Sequence, residues 1–340
     1  MQAAHVFLTL VMATLEGTEL CFPHLFNTSC RKTHRPYFAS IFIYVTLSSI
    51  SLLTTTLNLM VIISISHFKQ LHTPTNILLL SLAVSDCVVG LLVLLLIVVI
   101  DGCWIFSDSM CATYYVIDYT FTSASIGTMV LISIDRYVAI CDPLHYSTKI
   151  SVKKLKISVY LCWMLSLIFH TVRFKDNLKQ PGRFNTCIGQ CVLVIDYASG
   201  LIDLFLSFII PVTIIVVLYM RVFVVAVSQA RAMRSHITSV TIKCSVKVTA
   251  KKSEMKAAIT LGVVVVVFLM CICPYFCIVL SGQDSMLDAS TFTFIIILVY
   301  FNSCLNPLIY ALFYPWFRKS IKLIVTLKIL QAGSCDMNIL

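Results

Sequence analysis

Residues 75–100 have the sequence TNILLLSLAVSDCVVGLLVLLLIVVI, in which Asp86 is the only charged side chain. As an α-helix this stretch would be about 39 Å long, enough to cross the roughly 30 Å hydrocarbon core of a bilayer. Six further apolar runs occur along the chain, and a helix lets each run satisfy its own backbone hydrogen bonds in lipid. We therefore predict seven membrane-spanning helices. They cover residues 38–66, 75–100, 110–141, 152–172, 197–227, 257–280 and 290–313.

The composition of the 340-residue chain points to the same class. Apolar residues (AVILMFWYC) make up 59% of the chain and charged residues only 12%. A typical soluble domain carries about 25% charged residues to cover its core. The predicted fold class is therefore an all-α membrane protein, built as a bundle of seven transmembrane helices.

Lysine and arginine are distributed unequally between the two sides of this bundle. Eighteen of the 25 basic residues lie on one side and seven on the other. Since basic residues are retained in the cytoplasm, we predict an extracellular N-terminus and a cytoplasmic C-terminus. The net charge of +10 then faces anionic lipid or a cytosolic partner, and nucleic acid is not needed to explain it. The seven assigned to the outer side are Arg31, Lys32, Arg35, Arg173, Lys175, Lys179 and Arg183.

Two features of the outer side fit this orientation. Asn27-Thr28-Ser29 is an N-glycosylation acceptor, which is meaningful only outside the cytoplasm. Cysteines on this side can form disulfides because the environment is oxidising. We assign five cysteines to it: Cys21, Cys30, Cys111, Cys187 and Cys191.

Asp118 lies in the outer half of the third span, about 10 Å below Cys111 along the helix. A carboxylate at that depth must meet water, a hydrogen-bond partner or a cation. We find no Lys or Arg at comparable depth in any span, so we predict that the cation is the ammonium group of a ligand. The alternative is an Asp118 that is protonated or hydrogen-bonded internally.

The inner end of the same span carries Asp135-Arg136-Tyr137, followed by Cys141-Asp142-Pro143-Leu144. Other spans carry further landmarks: Asn58; Leu82-Ala83-Val84-Ser85-Asp86; Trp163; Pro211 with Tyr219; Phe268 with Pro274; and Asn306-Pro307-Leu308-Ile309-Tyr310. The joint pattern resembles the rhodopsin-like G-protein-coupled receptors over about residues 38–325. The chain departs from that family at Ile272 and Ile297, where Trp is common, and at Leu57, where Gly is usual. Ile272 puts the aromatic trigger of that family in doubt, and two alternatives stay open: activation through Phe268 and Tyr275, or a low signalling efficacy.

A narrower resemblance lies at the seventh span. Residues 302–317, NSCLNPLIYALFYPWF, resemble the fingerprint of trace amine-associated receptors, and residues 318–322 resemble their short amphipathic cytoplasmic helix. We accordingly divide the chain into an extracellular segment (1–37), the helix bundle (38–313) and a cytoplasmic helix and tail (314–340). The resemblance also implies a disulfide between Cys111 and Cys191. It pairs Cys187 with an N-terminal cysteine, for which Cys30 is preferred to Cys21.

The resemblance implies a binding site between the third and fifth spans. Asp118 matches the ammonium anchor, and Asp203, eight residues before Pro211, faces the same pocket. Two carboxylates in one cavity suit a diamine such as cadaverine or putrescine, as in the diamine-sensing olfactory receptors of fish. The alternatives are an Asp203 bonded to a neighbouring helix, and a monoamine receptor in which Ser207 contacts a ring substituent. The other expected lining residues are Tyr275, Phe276 and Tyr300, with the Tyr300 hydroxyl bonded to Asp118.

The resemblance further implies a transmission pathway. Arg136 is expected to pair with Asp135 and Glu254, and Tyr219 and Tyr310 are expected to rearrange on activation. An allosteric sodium ion, or a water network in its place, is expected at five residues: Asp86, Ser125, Asn302, Ser303 and Asn306. The implied partner is a stimulatory or olfactory G protein that raises cyclic AMP.

Other kinds of membrane protein fit the sequence less well. A transporter would show inverted repeats, and an intramembrane enzyme would need a nucleophile and a base within the spans. His170 is the only histidine well inside a span, and the sequence suggests no partner for it. We therefore expect a receptor that is not an enzyme.

Overall fold

The computed structural model describes residues 19–33, 35–237, 260, 262–278, 289–331 and 333–339. These residues form eight main helices. The first four are α1 (Tyr37–His67), α2 (Pro74–Asp101), α3 (Asp108–Cys141) and α4 (Val152–Arg173). Helix α5 runs through Tyr197–Leu204, a π-helical stretch Phe205–Ile209, and Ile210–Ile237. The last three are α6 (Gly262–Ile278), α7 (Ala289–Phe313) and α8 (Pro315–Val325).

Six of these helices are long and apolar enough to cross a membrane, and α6 is a shorter apolar helix. The described residues contain no β-strand, only two isolated bridges in the outer loops. The predicted all-α bundle of seven helices, followed by a short eighth helix, is confirmed. Part of the predicted sixth span, at 257–259, 261 and 279–280, lies outside the described residues.

Side-chain caps set where several of the helices begin. The Ser107 hydroxyl accepts from the Met110 amide at the start of α3, and Ser151 does the same for Lys154 at the start of α4. The Asp196 carboxylate accepts from the Ser199 amide, 2.9 Å away, and starts α5. Each such cap is worth about 1 kcal/mol because it satisfies a backbone donor that the helix leaves free.

The bundle packs around α3, while apolar side chains also cover its outside. Met129 and Ile132 of α3 are buried in the main core cluster together with Val265 and Phe268 of α6. The outer surface of α4, by contrast, exposes large apolar groups such as Leu165. An apolar exterior of this kind is stable in lipid and would aggregate in water.

Three disulfides join the outer loops: Cys111–Cys191, Cys30–Cys187 and Cys21–Cys103. The first two are the pairs that the family resemblance favoured. Cys103 was absent from our set of outer cysteines, and Cys21 is bridged to it. Cysteine positions in a sequence do not determine connectivity, so only the folded loops reveal the third bridge.

On the inner side, α8 and the tail pack against the bundle. Trp316 and Phe317 are buried on one face of α8, and the Arg318 guanidinium donates to the carbonyl oxygens of the last turn of α7 at 2.9 Å. In the tail, Lys69 pairs with Asp336 at 3.0 Å, and this ammonium lowers the pKa of the Asp336 carboxyl. The exposed pair contributes little to stability.

Candidate functional site

Asp118 of α3 is held by a tyrosine from α7. The Tyr300 hydroxyl lies 3.0 and 3.1 Å from the two carboxylate oxygens of Asp118, as the sequence analysis predicts. Tyr114, one turn above Asp118, is buried and interacts electrostatically with Tyr300. Within the described part of the chain no basic side chain forms an ion pair with Asp118. Among the described residues, the carboxylate therefore has a tyrosine hydroxyl as a partner and no cation.

Tyrosines surround this carboxylate. Tyr115 of α3 and Tyr275 of α6 both interact electrostatically with Asp118. Tyr119, one residue after Asp118, interacts electrostatically with both Asp118 and Tyr275. Aromatic faces attract cations, so these side chains form a suitable wall for an ammonium group.

Phe276 occupies a different position from Tyr275. Its ring stacks on Phe208 of α5, with centroids 4.2 Å apart and an angle of 14° between the planes. The contact joins α5 to α6, and Phe276 packs against the main core cluster. The structure thus gives Phe276 a helix-packing contact, whereas the sequence analysis expected it to line the pocket.

Asp203 of α5 is buried and already has a cation. Its carboxylate lies 2.8 Å from the Arg173 guanidinium of α4 and accepts a hydrogen bond from Ser207 at 2.7 Å. The side chains of Arg173 and Asp203 are only 4% and 12% exposed. The sequence analysis counted Arg173 among the basic residues of the outer side and expected Asp203 to have no built-in countercharge; the second expectation is wrong. Ser207 likewise serves Asp203 as a hydrogen-bond donor.

The length of the Arg173 side chain explains why the sequence analysis missed its ion pair with Asp203. It is the last residue of α4, where the sequence analysis ended the fourth span at 172. Its guanidinium extends over the rings of Tyr119 and Phe174, with centroids 4.9 and 5.1 Å away. A long basic side chain can cover apolar surface and place its charge several ångströms from its own Cα, so its depth cannot be taken from its position in the chain.

His170 belongs to the same region. Its Nε2 lies 2.8 Å from the Ser123 hydroxyl of α3, and its ring stacks on Phe174 with centroids 6.1 Å apart. The sequence analysis suggested no partner for this histidine, and that is wrong. Ser123 is 47 residues away in the chain but lies directly opposite His170 in the bundle.

A second polar site surrounds Asp86, deeper in the bundle. The Asp86 carboxylate accepts from Ser303 at 2.9 Å, from Asn306 at 2.7 Å and from Ser125 at 3.4 Å. Beside it lies a cavity of about 30 Å³. Its lining includes Ser125, Asn302 and Ser303, together with Phe268 and Ile272. The structure thus brings together all five residues expected around a sodium ion.

The comparisons with known proteins agree with this architecture. The family model for the 7 transmembrane receptor (rhodopsin family) matches residues 57–310. Trace amine-associated receptor 13c of Danio rerio is 37% identical over 340 residues, covering 95% of this chain and 97% of that protein. Trace amine-associated receptor 6 of Pan troglodytes is 39% identical over 341 residues, covering 96% of each chain. Trace amine-associated receptor 9 of Rattus norvegicus is 38% identical over 331 residues, covering 94% of this chain and 97% of the relative.

The chain belongs to the trace amine-associated receptors. It is therefore a multi-pass membrane receptor of a family that binds small ligands and G proteins, and it is not an enzyme.

The inner end of the receptor is organised by Arg136. Its Nε donates to Asp135 at 3.1 Å, and its guanidinium also contacts the Thr75 hydroxyl of α2. Asp135 accepts further hydrogen bonds from Tyr146 at 2.8 Å and Thr75 at 3.0 Å. Glu254, the other expected partner of Arg136, lies outside the described residues. Among the described residues, Asp135 and Thr75 hold the buried guanidinium.

The remaining activation residues lie between these sites. Tyr219 of α5 interacts electrostatically with Arg136, and Tyr310 of α7 interacts with Asp86. The hydroxyls of Tyr219 and Tyr310 are buried without hydrogen-bond partners among the residues described. Tyr137 packs against Ile140 and Val222 at the inner end, and Pro307 lies inside α7. Two buried hydroxyls without partners fit residues that exchange contacts between two states.

Proposed function

We propose that the receptor responds to a small amine that carries one ammonium group, bound by Asp118. The observation that carries the proposal is the contrast between the two carboxylates. Among the described residues Asp118 has the Tyr300 hydroxyl as its hydrogen-bond partner, whereas Asp203 is paired with Arg173. Of these two buried carboxylates, only Asp118 has no ion-pair partner among the described residues, and a single ammonium is the complementary charge.

The diamine interpretation depended on an Asp203 without a countercharge. Arg173 supplies that countercharge at 2.8 Å, and displacing it would leave a buried guanidinium unpaired. We therefore take the monoamine alternative as the proposed ligand class. The names of the related receptors, which refer to trace amines, support an amine ligand.

For signalling, we propose that amine binding shifts the receptor toward a state that couples to a stimulatory or olfactory G protein. A ligand can shift this equilibrium only by binding the two states with different affinity. The extracellular position of the N-terminus belongs to the same proposal. It is supported by three disulfides on that side and by the exposure of Asn27, the proposed glycosylation site.

The ammonium requirement can be tested with a pair of ligands of equal length. Cells that express the receptor would be exposed to 1-aminopentane or to 1-pentanol while cyclic AMP is recorded, with untransfected cells as the control. We expect a dose-dependent rise with the amine and none with the alcohol, because the alcohol cannot form the charge-assisted bond with Asp118. Equal responses to the two compounds would contradict the proposal.

We also propose that the site at Asp86 binds sodium. Carboxylate, hydroxyl and amide oxygens suit a small hard cation, and the side-chain oxygens of Asn58, Asn302 and Asn306 are buried without partners among the described residues. The adjoining cavity of about 30 Å³ has room for an ion or water. The bound ion would be held by the Asp86 carboxylate and neighbouring oxygens, and it would supply the missing positive charge.

Thermal unfolding of the purified receptor tests the sodium site without measuring activity. Replacing potassium by sodium at equal ionic strength should raise the melting temperature by about 2 °C or more, because an ion that binds only the folded state stabilises it. The increase should vanish in Asp86→Asn and persist in Asp101→Asn, a carboxylate at the outer end of α2. Equal melting temperatures in the two salts would refute the proposal.

A further inference from the structure

The region beyond Asp118 contains a second buried polar cluster, formed by Arg173, Asp203, His170 and Tyr119, which we name the distal cluster. The side chain of Arg173 is only 4% exposed. Its Nε lacks a hydrogen-bond acceptor among the described residues, and its Nη1, although 2.8 Å from Asp203, forms no well-aligned hydrogen bond there. The Nδ1 of His170 is also buried without a partner in the described structure. In the described structure, Arg173 and His170 of α4 therefore both carry buried nitrogen atoms without hydrogen-bond partners.

Such groups are rare in folded proteins because each buried donor that lacks an acceptor costs about 1–3 kcal/mol. Asp203 cannot satisfy all of the Arg173 donors, since one of its oxygens already accepts from Ser207 at 2.7 Å. A guanidinium has five N–H groups. The rings of Tyr119 and Phe174 hold this one in place without offering an oxygen acceptor.

The distal cluster and Asp118 line the same part of the bundle. Tyr275 interacts electrostatically with Asp118, Asp203 and Arg173, and so does Tyr119. Tyr119 therefore adjoins both groups: it follows Asp118 directly in α3, and its ring lies 4.9 Å from the Arg173 guanidinium. A ligand bound by its ammonium to Asp118 would extend past these two tyrosines toward the distal cluster.

We propose, on the basis of the proposed function, that Arg173 determines specificity by taking a neutral oxygen acceptor at the far end of the amine. The Arg173–Asp203 pair has no net charge, so a hydroxyl, ether or carbonyl oxygen can accept from the free donor without leaving an unpaired charge. A second ammonium would meet the guanidinium directly and be repelled. The same residue therefore selects amines with a distal oxygen and rejects diamines.

Three compounds with equal chain length test this proposal: 1-aminopentane, 5-amino-1-pentanol and 1,5-diaminopentane. Cyclic AMP dose-response curves would be recorded together with cell-surface expression. In the natural receptor we expect the amino alcohol to be about fivefold more potent than 1-aminopentane, the value of one added hydrogen bond of about 1 kcal/mol. We expect the diamine to be about tenfold less potent than 1-aminopentane, because of charge repulsion.

The Arg173→Met variant removes both the charge and the donors while keeping a long unbranched side chain. The advantage of the amino alcohol should disappear, and the diamine should gain about tenfold relative to 1-aminopentane because Asp203 is then unpaired. The double variant Arg173→Met, Asp203→Asn should lose that gain in diamine potency. Together with the two single variants it forms a double-mutant cycle that measures the interaction between Arg173 and Asp203. Arg173→Lys should restore the discrimination against the diamine.

The outcomes separate this proposal from the function on which it depends. Suppose that 1-aminopentane is active in the natural receptor and that the diamine is at least as potent as 1-aminopentane. The specificity role of Arg173 is then overturned, whereas the proposed function as an amine receptor is retained. The same conclusion follows if Arg173→Met reaches the cell surface and the ranking of the three compounds is unchanged. If 1-aminopentane evokes no response, both proposals fall. The ranking in the natural receptor requires no variant, so a poorly folded Arg173→Met does not prevent the decision.

Discussion

Replacement of Asp118 by Asn is expected to lower the potency of 1-aminopentane about 100-fold or more. The substitution keeps the shape of the side chain but removes the charge that pairs with the ligand ammonium. Loss of one member of a buried, hydrogen-bonded charge pair costs about 2–5 kcal/mol, and 2.7 kcal/mol corresponds to about 100-fold. The measurement is a cyclic AMP dose-response curve at matched surface expression.

Two further variants calibrate this result. Asp176→Asn makes the same chemical change at an exposed outer position and should leave potency unchanged. Tyr300→Phe removes the hydroxyl that bonds Asp118 and should cause a smaller loss of about tenfold, since the carboxylate itself remains. A potency of Asp118→Asn within about threefold of the natural receptor, a difference below 1 kcal/mol, would show that the ammonium binds elsewhere.

Replacement of Asp135 by Asn should destabilise the receptor by about 3 kcal/mol and raise signalling in the absence of ligand. Asp135 is fully buried and holds the guanidinium of Arg136, whose side chain is 7% exposed. Removing one member of a buried ion pair leaves an uncompensated charge, which is strongly destabilising. Arg136 would then contact water or new partners at this end of the bundle, where we propose that the G protein binds. Thermal unfolding of the purified protein and basal cyclic AMP are the two measurements.

Tyr146→Phe is the matched control for this second prediction. It removes only the neutral donor that bonds Asp135 at 2.8 Å and leaves the ion pair intact. We expect a loss of about 1 kcal/mol and little change in basal signalling. If Asp135→Asn and Tyr146→Phe behave alike in both measurements, the ion pair with Arg136 is not what holds the inner end of the receptor.

Several elements of the site could be predicted before the fold was known. The bond between Tyr300 and Asp118 follows from the family pattern, and the residues around Asp86 are brought together as expected. The stacking of Phe276 on Phe208 of α5 was not predicted, because that contact depends on the rotation of α6. The Asp203 interpretation failed because Arg173 was assigned to a loop one residue beyond the predicted end of α4.

The sequence by itself determined the fold class, the number of spans and the presence of a buried acid in the third helix. These properties depend on contiguous runs of side chains, because transfer into lipid is summed along one helix that satisfies its own backbone. Only the tertiary structure decided which charges and cysteines meet. Arg173 and Asp203 lie on different helices, and Cys21 and Cys103 are 82 residues apart. Such contacts depend on the relative depth and rotation of separate helices, which packing sets and hydropathy does not encode. For this reason Asp203, which the sequence suggested was an uncompensated carboxylate, forms a neutral ion pair with Arg173 in the folded receptor.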